Sequence, residues 1–169
     1  MKNTIKKFGI RAALVGGLIF MGSHFIDWNM GFDLLEVFGY ASILTSLSFV
    51  FFGIKHFRDK VNGGLITFKK ALLIGLAIST IAGLAIGILD IIYITIINPN
   101  FPSEYLHFTL EGMKNTLSPE QFAIEKIALE EQMKLFEIPG LSGLFMFVLV
   151  FIIGIIISLI SSLILQRKN

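Results

Sequence analysis

An aspartate inside an otherwise unbroken apolar run is the residue in this chain best placed to do chemistry. Asp90 interrupts the run 71–97 about seven residues from its far end, which is roughly 10 Å at 1.5 Å per residue. A carboxylate at the centre of a membrane span costs about 2.5–3.5 kcal/mol, and less nearer the interface. Acids in such places are therefore candidates for ion or proton handling. Three more ionisable groups fall near the ends of neighbouring runs: Glu36, His24 and Asp27. His24 and Asp27 are three residues apart and share a helical face. One imidazole and three carboxylates converging on one mouth would bind a cation or relay protons. Taken singly, Glu36, His24 and Asp27 read as helix-end residues reaching water. Asp90 reads alternatively as a structural acid, hydrogen-bonded to Tyr93 or to a hydroxyl on another helix.

Other chemistries find no residues to carry them. There is no cysteine, which removes disulfides, zinc–thiolate sites and thiol nucleophiles. There is no His-Glu-x-x-His pair and no phosphate-binding glycine loop. Glu130-Glu131 resembles the start of a membrane-protease diglutamate motif but lacks the arginine expected with it. His24, His56 and His107 fall on different sides of the apolar runs and form no single cluster. No catalytic residue, metal ligand or cofactor is assigned, and the expectation is a protein that is not an enzyme. A net charge of +2 gives no reason to expect nucleic acid as a partner.

Four long apolar runs must position these groups: residues 8–25, 34–54, 71–97 and 141–165. The chain is 54% hydrophobic with a mean hydropathy of +0.80, beyond what a soluble domain of this size carries. A hydrocarbon core about 30 Å thick needs about 20 helical residues, so each run reads as a transmembrane helix. The first run ends in Ser23-His24-Phe25-Ile26-Asp27-Trp28. This offers no small-residue cleavage site, so the run reads as a retained anchor rather than a signal peptide.

Charge sorts to the two ends of these runs. Lys2, Lys6, Lys7, Arg11, Lys55, Arg58, Lys60, Lys69, Lys70, Arg167 and Lys168 lie on one side, with Asp59 as the single acid among them. The other side carries Asp27, Asp33, Glu36 and seven glutamates of the segment 98–140, against Lys114, Lys126 and Lys134. The Lys/Arg bias predicts that both termini are cytoplasmic. Lys55, Arg58, Lys60, Lys69 and Lys70 are then candidates for contact with anionic headgroups.

Helices in lipid associate by close packing of small residues. Gly75, Ser79, Gly83 and Gly87, with Ala71 before them, repeat every four residues in the third run. Asp90 lies within about 20° of Ser79 and Gly83 on the helical wheel, and so shares their face. The second run has Gly39, Ser42, Ser46 and Gly53. The fourth has Gly154, Ser158 and Ser162, and the first pairs Ala12 with Gly16 and Ala13 with Gly17. These stripes either close a four-helix bundle on itself or leave one face for a second copy or another membrane protein.

The segment 98–140 opens with Asn98-Pro99-Asn100-Phe101-Pro102, which ends the third helix. A helix is predicted over 118–137, with Ser118 as N-cap, Pro119 at the first position and Gln121 closing a capping box. Its apolar side would carry Phe122, Ile124, Ala128, Leu129, Met133, Leu135 and Phe136, and its other side is mostly acidic, with Ile127 and Glu125 breaking the pattern.

Several stretches resemble a family of small four-span bacterial membrane proteins carried as a domain of unknown function. They are Glu36-x-x-Gly39-Tyr40, Phe52-Gly53-Ile54-Lys55-x-x-Arg58-Asp59, Gly63-Gly64-x-Ile66-x-Phe68-x-Lys70-Ala71, and the ending from Gly154 to Lys168. The resemblance implies four spans and a bacterial plasma membrane, and implies no activity. It draws attention to Glu36, Arg58 and Asp59, the charged members of the matching motifs.

The reading is thus an all-α integral membrane bundle of four helices in one domain, 1–169, with an amphipathic helix in a long extracytoplasmic connection. Its expected role is non-enzymatic association with the bilayer, a second copy or another membrane protein. The alternative is a small oligomeric carrier coupled to ions through Asp90.

Overall fold

Proline and hydroxyl side chains set where the helices of this chain begin. Thr67 and Ser118 each accept a hydrogen bond from the backbone N–H three residues on, Lys70 and Gln121, which satisfies amides that a helix start leaves open. Pro102, Pro119 and Pro139 stand in first turns, where a missing N–H is harmless. The structure, a computed structural model, describes residues 1–23 and 32–167. His24 and Asp27 lie outside the described residues.

Among the described residues there are six α-helices: α1 Lys2–Ser23, α2 Phe32–His56, α3 Phe68–Ile92, α4 Phe101–Thr116, α5 Pro119–Phe136 and α6 Pro139–Leu165. The ends of α2 and α3 relax into π-helical turns, Phe57–Val61 and Tyr93–Ile97. Gly63 and Gly64 adopt φ of 64° and 84° in the reversal before α3, a backbone region closed to most side chains. The architecture is an all-α membrane bundle with a helical hairpin, α4–α5, added at one end.

One expectation is supported in part and another needs correction. Four spans were expected, but only three described helical stretches are long and apolar enough to cross a membrane: Glu36–Val61, Phe68–Ile97 and Pro139–Leu165. Lys6, Lys7 and Arg11 weight the first half of α1 with charge, and the apolar run there continues past the described residues. The connection 98–140 was expected to hold one helix and holds two. Asn98-Pro99-Asn100 makes the turn, and Pro102 then starts α4 rather than prolonging a loop.

In the bundle, α2 and α3 pack together in the middle, with α1 against both on one side and α6 against both on the other. The α3–α6 seam is built from small residues. A methyl added to Gly75 would meet Ser158, one added to Gly154 would meet Ser79, and one added to Gly87 would lie 2.5 Å from the Gly143 carbonyl oxygen. Across the α1–α2 seam Ser46 Oγ donates to the Ala12 carbonyl at 2.7 Å, and Ser46 also sits against Gly16. Lipid tails are as apolar as leucine, so these contacts and hydrogen bonds, not removal from water, hold the helices together. Gly75, Ser79, Gly83 and Gly87 are all turned inward, onto α6. The outward side chains are apolar: Ile10, Leu14 and Leu18 on α1, Leu84 and Ile88 on α3, Ile152 and Ile156 on α6.

At the opposite end from the hairpin, Ile66 and Arg167 exchange backbone hydrogen bonds of 3.0 and 2.9 Å. Arg58 pairs with Asp59 at 2.6 Å and donates through Nη1 to the Leu165 carbonyl at 3.3 Å. These contacts tie the end of α6 to the α2–α3 turn.

Candidate functional site

Asp90 is buried at 9% exposure because α3 turns its small-residue face toward α6, and Asp90 continues that face. Its partner is on the facing helix: Ser142 Oγ donates to Asp90 Oδ2 at 2.5 Å. Gly87 and Gly143 touch one turn below, and this close backbone approach brings the hydroxyl within reach of the carboxylate. No basic side chain stands within ion-pair distance of Asp90 among the described residues.

Above this pair the hairpin leaves a half-open cavity of about 500 Å³. Asp90 and Ser142 lie at its base. Ile94, Phe101, Met113, Leu129, Met133, Phe136, Phe145 and Met146 form apolar walls, with Tyr40, Tyr105, Thr109 and Gln132 as further polar groups. The walls are braced by ring contacts between Tyr93 and Phe101, with centroids 5.3 Å apart, and between Phe136 and Phe145 at 5.0 Å. On α4, Phe101, Tyr105, Thr109 and Met113 are each four residues apart and therefore face the cavity together. On α5, Met133 is buried and Leu129 and Phe136 half-buried toward it. Ile124, Ile127 and Leu135, by contrast, are exposed. The apolar side assigned to this helix from sequence is thus split between a cavity wall and an outward face.

Glu36 does not line the cavity. It accepts a 2.9 Å hydrogen bond from the Tyr105 hydroxyl, which fastens α4 to the end of α2. Burial first, and then this bond, push the Tyr105 phenol above its ordinary range. Asp90 and Glu36 therefore have separate hydroxyl partners on different helices. Nearby, Asn98 donates to Glu104 at 3.0 Å across the turn into α4.

The basic residues gather at the other end. Lys55, Lys60, Lys69 and Lys70 are exposed, while Arg58 is engaged with Asp59 and Leu165. Lys70 Nζ also sits 5.4 Å over the Phe57 ring.

Ser142, Tyr105 and the walls of α4 were not singled out from sequence. The usable signals were Pro102 as a helix-start residue and the four-residue spacing from Phe101 to Met113. Ser142 carries no local signal, because its role depends on the register of α6 against α3.

No curated protein and no solved structure matches this chain. A family model described as "Protein of unknown function (DUF4199)" matches residues 7–167, and the chain belongs to that family.

Proposed function

We propose that this membrane protein acts by association rather than catalysis, holding an amphiphilic molecule of the outer leaflet beneath the α4–α5 hairpin, as a binding or accessory protein. In this reading α1 is a fourth span. Ile10, Leu14 and Leu18, four residues apart, present an exposed apolar stripe that suits lipid, and its lysines lie at the cytoplasmic surface. The charge asymmetry supports a topology with both termini in the cytoplasm of a bacterium and the hairpin outside.

The observation that carries the proposal is the cavity. It has the size and the mostly apolar walls with a few placed polar groups that small-ligand sites share. It also stops at Asp90. Below it, Ile86, Ala82, Ile78 and Ile74 on α3 are wholly buried, which favours holding a molecule over passing it across. Carriage coupled to Asp90 is the weaker reading for that reason. Catalysis is disfavoured because Asp90 is the only ionisable acid or base lining the cavity among its described residues other than the tyrosines.

Native mass spectrometry of protein extracted mildly from its own membranes tests this. The wild-type chain is expected to carry a bound amphiphile. Leu129→Trp, which fills the cavity from α5 without touching the four-helix seams, is expected to lose it. Wild-type protein with no adduct, or an adduct indifferent to the tryptophan, would overturn the proposal.

A further inference from the structure

The base of the cavity has a chemistry of its own. Asp90 is held away from bulk water, and one carboxylate oxygen is engaged by Ser142. The other has no protein partner, and no basic residue is in range, among the described residues. A carboxyl group in such a setting lacks a counter-ion among the described residues, and intramembrane acids pair when a partner is available. The walls favour the same ligand. Tyr40, Phe101, Tyr105, Phe136 and Phe145 line the same cavity, and aromatic rings are favourable neighbours for a cation, while the methionines adapt to varied apolar shapes. An anionic head would gain no such pairing at Asp90, and a neutral one would gain only an ordinary hydrogen bond.

We infer that the cavity takes a hydrophobic amine: a primary ammonium bound at Asp90 on an apolar body lodged among the Phe and Met side chains. This rests on the reading of the cavity as a binding site and names the class of molecule it selects. The space is that of a drug-sized ligand, so the part lodged inside is a single chain or a small ring system.

The test uses the full chain in bilayer nanodiscs with two photoreactive probes of equal length, a diazirine-bearing dodecylamine and the matching dodecanol. Labelled residues are mapped by peptide mass spectrometry. The amine is expected to label Met133, Phe136 and Phe145 at least about tenfold more than the alcohol, as a charge-assisted hydrogen bond in a desolvated site implies. In Asp90→Asn, which keeps an acceptor for Ser142, the preference should vanish while the alcohol still labels. Ser142→Ala removes the hydroxyl and keeps the charge, so the amine preference should remain. Equal labelling by both probes, or a preference lost equally in Asp90→Asn and Ser142→Ala, would overturn the cation inference and leave the binding reading standing. Cavity residues labelled by neither probe would remove both.

Discussion

The glycine contacts between α3 and α6 make a quantitative prediction. Gly87 and Gly143 face each other so closely that a methyl on Gly87 would lie 2.5 Å from the Gly143 carbonyl oxygen, whereas ordinary contact begins at 3.4 Å. The obstacle is backbone, so no rotamer change relieves it, and the helices must part by about 0.9 Å. A gap of roughly 0.5–1 Å forfeits a quarter to a half of the dispersion well for each atom pair across a seam. The same movement strains the Ser142–Asp90 hydrogen bond one turn away. Gly87→Ala should therefore destabilise the bundle by about 1–3 kcal/mol, the range for overpacking, even though alanine is the better helix former. Gly112→Ala is the matched control. A methyl there meets nothing within 4 Å, and α4 should gain about 0.5–1 kcal/mol. Equilibrium unfolding in mixed micelles of sodium dodecyl sulfate measures both. If Gly87→Ala were as stable as wild type, the seam would not be packed as described. If both substitutions raised stability, intrinsic helix preference rather than packing would govern it.

Other consequences are as direct. Tyr105 should titrate above an ordinary phenol when followed by tyrosinate absorbance. Glu36→Gln should lower its pKa without restoring the ordinary value, because burial is the larger cause. Since the folded value is raised, the stability linked to this phenol is complete below a pH of about 10 and is lost as pH rises through the folded value; a Tyr105→Phe chain that lost stability over that interval just as wild type does would contradict the assignment. Arg58→Ala should loosen the end of α6, speeding hydrogen exchange at the paired Ile66 and Arg167 amides by about five- to tenfold, as loss of one modest hydrogen bond implies. Unchanged exchange there would mean that the Leu165 contact contributes nothing.

Much of the bundle is written in the residues themselves, because bilayers reward simple patterns. Long apolar runs fix the class, and Ser118-Pro119 marks the start of α5 through chemistry that operates within four residues. Asp90 shares the face of Ser79 and Gly83 by helical geometry alone, which is why it could be turned inward before any partner was known. Ser142 and Tyr105 were not visible, since each matters only through a residue more than fifty positions away. The α4 helix was missed for a different reason. Pro99 and Pro102 were both taken as helix-ending, although Pro102 occupies a first turn where its fixed φ helps. The exposed side of α5 with Ile124 and Leu135 was hidden in turn because a wheel cannot separate a face that meets protein from one that meets lipid.

Substituted-cysteine labelling tests the central claim most directly, and a chain with no native cysteine is well suited to it. Single cysteines are placed at Glu131 on α5, at Lys60 in the α2–α3 turn and at Lys2 in α1, all exposed, and intact cells are treated with a membrane-impermeant maleimide. The account predicts modification at position 131 alone, with positions 60 and 2 reacting only after the cells are opened. Labelling of position 2 in intact cells would mean that α1 does not cross the membrane, and protection of position 131 would put the hairpin and its cavity on the wrong side.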